Sequence, residues 1–152
     1  MINTTLCYIE RDNKYLMLHR TKKEKDINKD KWIGIGGKFE EGESPEECLV
    51  REVKEETGLT LNSFNLRCIV TYESTNYETE YMYVFTSDDY TGKIIECNEG
   101  ELQWVEKNQI YDLKIWEGDK IFLEKIQKTN KFFTAKFCYD GDKLVKYDIK
   151  EY

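Results

Sequence analysis

Residues 44–58, SPEECLVREVKEETG, leave the backbone little choice. Ser44 stands where an N-cap is needed, Pro45 takes the first helical position, Glu47 completes a capping box, and Gly58 follows the last turn. With both ends fixed as a helix, the phase of every side chain between them is fixed too. At about 100° per residue, Leu49, Val50 and Val53 share one arc, while Glu52, Glu55 and Glu56 share an adjacent arc of roughly 100°. Such a helix must lie on an apolar layer, and its acidic stripe then runs along the edge of the buried surface.

Three carboxylates in that position need an explanation. Fully exposed, each like-charge pair costs a few tenths of a kcal/mol. At a half-sheltered edge, unit charges about 6 Å apart cost roughly 3 kcal/mol. A cation would remove that cost, and hard carboxylate oxygens suit Mg²⁺ or Mn²⁺, which keep waters and substrate phosphate oxygens as further ligands. A solvated acidic face on a Glu-rich chain is the other reading, and helix geometry alone leaves both open.

The rest of the chain alternates between strand and turn signals. TTLCYIE and YLMLHR flank RDNK as a hairpin, and TKKEKDINKDK, charged and without apolar period, is a loop. WIGIGGKFEEGE is dense in glycine and must turn or let another group approach its backbone closely. LRCIVTYES and TEYMYVFTS are strands, and GKIIECNEGELQWV contains at least one more. A second helix begins near Trp116 and turns Ile121, Phe122, Leu123 and Ile126 inward. FFTAKFCYDGDKLVKY is a second hairpin, with DG at its turn. The 152 residues therefore predict one mixed α/β domain, residues 1–152, with a curved sheet between helices.

Composition excludes several partners. Lys and Arg number 23 against 30 Asp and Glu, a net charge of −7 that opposes attachment to a nucleic acid polymer or an anionic membrane. No run approaches the roughly 18 apolar residues of a membrane span, and the first residues carry no leader pattern. The five cysteines are unpaired in spacing and read as buried apolar residues, which points to a reducing cytoplasm. An anionic ligand would need something local to reverse the sign of the charge.

From Gly37, GKFEEGESPEECLVREVKEETGL resembles the Nudix box, matching at Gly37, Glu43, Arg51, Glu52, Val53, Glu55, Glu56, Gly58 and Leu59. KWIGIGGK, CNEGELQWV, IWEGD and FFTAKFCYDGDKL extend the resemblance to the MutT and MutX type of nucleotide pyrophosphatase. That resemblance implies an α/β/α sandwich and Mg²⁺-dependent hydrolysis of a nucleoside triphosphate to monophosphate and pyrophosphate, with oxidised purines such as 8-oxo-dGTP as substrates. Carried over by position, Glu52, Glu55, Glu56 and the carbonyl of Gly36 would hold the metal, and one of the glutamates would activate water. Arg51 and Glu43 would brace loop and helix. Glu99 is the expected further metal ligand, with Glu96 and Glu101 as the other candidates. Arg20 and Lys38 would meet phosphate, while Trp116 would stack on the base and an ionised Asp119 would accept its N–H groups. Ile33 departs from relatives that place a base-reading asparagine there, so the purine pocket does not carry over whole. Another nucleotide, a nucleotide sugar such as ADP-ribose, or a nucleotide sensor that does not cleave are the competing functions.

Overall fold

The computed structural model describes all 152 residues. Its strands are β1 (Ile2–Arg11), β2 (Lys14–His19), β3 (Trp32–Ile33), β4 (Ile35–Lys38), β5 (Thr60–Ser74), β6 (Glu80–Thr91), β7 (Glu101–Glu106), β8 (Phe133–Asp140) and β9 (Lys143–Glu151). Two helices, α1 (Pro45–Thr57) and α2 (Glu117–Lys128), complete it together with a 3₁₀ turn at Ile110–Asp112. The strands form one mixed sheet in the order β3-β2-β1-β6-β5-β8-β9, with β4 also pairing β1 and β7 also pairing β2. The β1–β6 and β5–β8 pairs are parallel, and the remaining pairs antiparallel.

β1 explains why there is a helix on each face. Residues Thr4 to Ile9 are all buried, and the period of two sends alternate side chains to opposite sides of the sheet. Cys7 and Ile9 join Leu49 and Val53 of α1 in one core, together with Leu16, Leu18 and Phe85. Leu6 and Tyr8 join Phe122, Leu123 and Ile126 of α2 in the other, with Tyr15, Met17 and Val84. An apolar strand on both faces requires cover on both faces, and the α/β/α sandwich supplies it.

Local signals act as the sequence predicts at several points. Asp12 and Asn13 take positive φ of 51° and 62° and close the first hairpin, the backbone needed for a two-residue primed turn. Ser44 accepts from the Glu47 amide, the Glu47 side chain answers to the Ser44 amide, and Gly58 ends α1 at φ 81°. The second hairpin turns on Gly141 and Asp142, one residue later than DG suggests, with Gly141 at φ 59°.

The glycine-rich stretch is strand at Trp32–Ile33 and Ile35–Lys38 and turns at Glu41 and Gly42, where Gly42 takes φ 79°. β4 lies so close to β1 that a Cβ at Gly36 would sit 1.8 Å from the Thr5 carbonyl oxygen. At Gly37 it would meet the Glu52 carboxylate at 2.5 Å. Absence of side chains thus lets α1 press its acidic edge against the backbone of β4.

Leu49 is fully buried and fastens α1 to the sheet. Leu49→Ala is expected to cost 2–5 kcal/mol, roughly 5–15 °C in Tm, measured by thermal denaturation. A loss below about 1 kcal/mol would mean that α1 is held by its polar edge alone.

Candidate active site

The acidic stripe is graded by depth. Glu55 has a side chain 58% exposed, Glu52 15%, and Glu56 is buried, with Oε2 receiving no hydrogen bond. Glu52 and Glu56 stand one turn apart, so both reach the same cavity, a cleft of about 580 Å³ also lined by Gly36, Gly37 and Glu99.

Arg51 collects the carboxylates around it. Its Nε and Nη2 donate to the two oxygens of Glu43 at 2.7 and 2.9 Å, Nη1 donates to Glu52 at 2.9 Å and Glu55 at 3.2 Å, and Nη2 reaches the Lys38 carbonyl at 3.0 Å. The guanidinium holds the Glu43 carboxyl well below the ordinary range, at about 2. Glu52 moves the other way, because burial outweighs the nearby Arg51.

Glu99 arrives from the turn before β7. It pairs with Arg20 Nη1 at 3.2 Å and Lys23 Nζ at 2.8 Å and shares a hydrogen bond with Glu56. Burial, then the bond to Glu99, pushes Glu56 far up. Burial also works against the Glu99 anion, but the bonds from Glu56 and Lys23 with the Arg20 charge hold it below the ordinary value. The shared proton therefore sits on Glu56. Glu96 instead pairs with Lys22 and is 91% exposed, and Glu101 is exposed in β7, so neither lines the cleft.

The cleft continues past Thr4, Thr5 and Leu6 of β1 to the start of α2. Trp116 is buried there, its Nε1 donating to Asn28 at 2.7 Å, Lys31 Nζ lying 4.2 Å from its ring centre, and Tyr72 and Tyr139 meeting it edge-on. The indole forms a wall of the cleft and is held in place by these neighbours. Tyr139 also accepts from the Gly118 amide at 2.7 Å, satisfying an orphan donor at a helix start that has no side-chain cap.

Asp119 is 8% exposed and makes no hydrogen bond within the protein. Burial, with the charge of Glu80 second, pushes its carboxyl up to about 8. Burial thus favours the protonated form of Asp119, which can donate as well as accept. Placement in the first turn of α2 favours the anion, but desolvation wins.

Of the residues singled out from the sequence, the cleft takes in Arg20, Ile33, Gly36, Lys38, Glu52, Glu56, Glu99, Trp116 and Asp119. Arg51, Glu43 and Glu55 lie outside its lining. Arg20 is already engaged by Asp26 at 2.8 Å as well as by Glu99, whereas Lys38 forms no ion pair. Tyr72, Glu80, Met82, Asn28 and Lys25 also line the cleft and were not singled out. The alternation of TEYMYVFTS could have found Glu80, since it shares a face with Met82 and Val84. No three carboxylate, histidine or cysteine side chains converge tightly enough to hold a metal ion as they stand, because Arg51, Arg20 and Lys23 draw Glu52, Glu55 and Glu99 to themselves. The donor set still fits a hard divalent cation: three carboxylates at one end of a cleft, one buried oxygen without a partner, and the side-chain-free backbone of Gly36 and Gly37 beside them. No helix is long and apolar enough to cross a membrane.

Comparison with known proteins agrees with the geometry. The profile of the NUDIX domain matches residues 2–126. The chain is 31% identical over 151 residues to the uncharacterized Nudix hydrolase YvcI of Bacillus subtilis, covering 95% of this chain and 92% of that one. It is 30% identical over 132 residues to the oxidized purine nucleoside triphosphate hydrolase of Danio rerio, covering 85% and 83%. It superposes on the crystal structure of a MutT protein from Bacillus halodurans with a TM-score of 0.87 over 99% of this chain and 98% of that one, and at 24% identity that likeness is one of fold. Since the profile spans most of the chain and a relative matches along nearly all of it, the chain belongs to the Nudix hydrolase family and is an enzyme that cleaves phosphoanhydride bonds.

Proposed function

We propose that residues 1–152 form one hydrolase domain that cleaves a nucleoside triphosphate to monophosphate and pyrophosphate, with an oxidised purine nucleotide of the 8-oxo-dGTP kind as substrate. The observation that carries the reading is the two-ended cleft, with carboxylates at one end and an aromatic, acid-bearing pocket at the other. A relative named for oxidised purine nucleoside triphosphates is 30% identical over most of both chains, which supports the choice of substrate.

In this reading Glu52, Glu55, Glu56 and Glu99, with the Gly36 carbonyl, hold Mg²⁺ or Mn²⁺. When bound, the metal neutralises the polyphosphate, polarises phosphorus and lowers the pKa of water. Arg51 keeps Glu52 and Glu55 oriented while Glu43 keeps Arg51 in place. One of the α1 glutamates takes the proton from the attacking water. Lys38, free of ion pairs, meets a phosphate oxygen, and Arg20 does so by exchanging a carboxylate partner for it. Trp116 flanks the base. Asp119 bonds to the base edge, and oxidation at C8 turns a purine N7 from acceptor to N–H donor, a change a carboxyl group can read.

Glu56→Gln is expected to lower kcat by on the order of a hundredfold or more, equivalent to about 2.7 kcal/mol in the barrier, without lowering Tm. Turnover would be followed as pyrophosphate release with Mg²⁺, and full activity would remove Glu56 from the metal set. A panel of 8-oxo-dGTP, dGTP, other triphosphates and ADP-ribose, compared by kcat/KM, is expected to rank 8-oxo-dGTP first. Preference for ADP-ribose would overturn the pocket reading, and no cleavage throughout would favour a sensor.

Asp119 adds a prediction in stability. Folded, it keeps its proton up to about pH 8, but in the unfolded chain only to 3.8. Between those values the folded state binds more protons, so stability falls as pH rises. Asp119→Asn does not titrate. Its stability, followed by Tm, should therefore gain on wild type as pH rises from about 5 to 8, by up to about 1.4 kcal/mol per pH unit. A gap that stays constant over that range would mean that Asp119 is ionised in the folded protein.

A further inference from the structure

Glu80 is a carboxylate where the fold asks for none. It opens β6 directly across from Tyr72 of β5, and the period of two puts it on the same face as Met82 and Val84, the side of the sheet that α2 covers. Thr4 of β1, Tyr72 and Met82 surround it in the floor of the cleft. Strand floors of this kind are apolar, and a charge set into one costs free energy unless it is paired.

Pairing within the protein is incomplete. Glu80 Oε2 accepts from the Thr4 hydroxyl at 2.6 Å, but no protein group donates to Oε1, and no Lys or Arg lies within salt-bridge distance. Asp119, in the wall of the same cleft, has no hydrogen-bond partner at all and is more than nine-tenths buried. Two carboxyl groups therefore share one pocket with unused acceptor capacity, and the Lys38 charge that reaches Glu80 does so without forming an ion pair. An apolar ligand would leave that cost standing, whereas a ligand edge carrying N–H donors removes it in the way water does and adds direction.

We propose that Glu80 is a second base-reading residue, which with Asp119 selects purines of the guanine class, whose lactam N–H stands beside an exocyclic amino group, over bases with an acceptor at that edge. The assignment rests on the nucleotide reading of the cleft and names the substrate class for it. The Thr4 hydroxyl fixes one oxygen of Glu80 and so directs the other toward the ligand, as a preorganised acceptor. Burial pushes the carboxyls of both Glu80 and Asp119 upward, Thr4 restraining the shift at Glu80. The acid without a partner is thus the better donor, and the one held by Thr4 the better acceptor. Ile33 supplies no polar group to the pocket, so hydrogen bonds to a base must come from other residues of the lining, among which Glu80 and Asp119 are the carboxyls at that end left without an ion pair.

Two measurements test the assignment on wild type, Glu80→Gln and Glu80→Met. The first is kcat/KM for guanine, 8-oxoguanine, adenine and pyrimidine nucleoside triphosphates with Mg²⁺. The second is binding of guanosine and adenosine monophosphates without metal, read by tryptophan fluorescence. Both variants are expected to lower the guanine-to-adenine ratio at least tenfold, about 1.4 kcal/mol, in turnover and in binding alike. Ratios unchanged from wild type, or an equal loss on every base, would overturn the role of Glu80. If wild type cleaves no triphosphate yet the monophosphate ratio falls in both variants, the triphosphate reading fails while Glu80 stands as the base reader.

Discussion

Arg51 joins three parts of the chain that have no covalent reason to meet. Its guanidinium ties the loop carboxylate of Glu43, the carbonyl of Lys38 at the end of β4, and two side chains of its own helix. Each charge-assisted bond contributes modestly at a site 22% exposed. Together they fix the phase of α1 relative to β4, which decides whether Glu52 and Glu56 face the cleft or solvent. The glycines of β4 are the complement of that arrangement, since any side chain at Gly37 would occupy the space of the Glu52 carboxylate.

The same interaction explains why the carboxylates are dispersed rather than clustered. Four acids crowd the edge of α1 and the turn before β7, and the protein's own cations answer them one by one: Arg51 for Glu52 and Glu55, Arg20 and Lys23 for Glu99. Only Glu56 is left, and it retains a proton. A divalent cation bound there, as proposed, would compete with guanidinium and ammonium groups for those oxygens and displace that proton, so that metal binding and rearrangement of the ion pairs would belong to one event. The chain's excess of negative charge is then no obstacle to an anionic substrate.

Much of the architecture was legible because it rests on local rules. Ser44, Pro45, Glu47 and Gly58 fix α1 within its own residues, and Asp12 with Asn13 fix a turn. Both faces of β1 are apolar, which demands two covering layers whatever the topology. β3 and β4 were not legible, because glycines carry no periodicity and their strand geometry comes from partners elsewhere in the chain. At the site, the α1 carboxylates could be placed because helical phase is arithmetic. The pocket beyond them draws Thr4, Asn28, Tyr72, Glu80 and Trp116 from five separate segments; sheet register brings Thr4, Tyr72 and Glu80 together, and a hydrogen bond joins Trp116 to Asn28 of the loop. The upward push on Asp119 was not legible, since burial depends on neighbours that are distant in sequence.

The two ends of the cleft are built from different material, and that separation has a functional logic. The carboxylate end belongs to α1, β4 and the turn before β7, where Arg51 bonds to the Lys38 carbonyl at the end of β4 and Arg20 and Lys23 pair with Glu99 of the turn. The base end belongs to β6, β5 and the first turn of α2, held by aromatic packing and by Tyr139 beneath the helix start. Only β1 runs through both, and there its backbone and small hydroxyl side chains line the cleft. In the proposed reading, a substitution at Glu80 or Ile33 would alter which base is accepted while leaving the carboxylates of the other end in place. A sheet with independent cover on each face thus permits one hydrolytic centre to be combined with different specificities, because the elements that hold the chemistry and those that read the base share a floor but not a set of contacts.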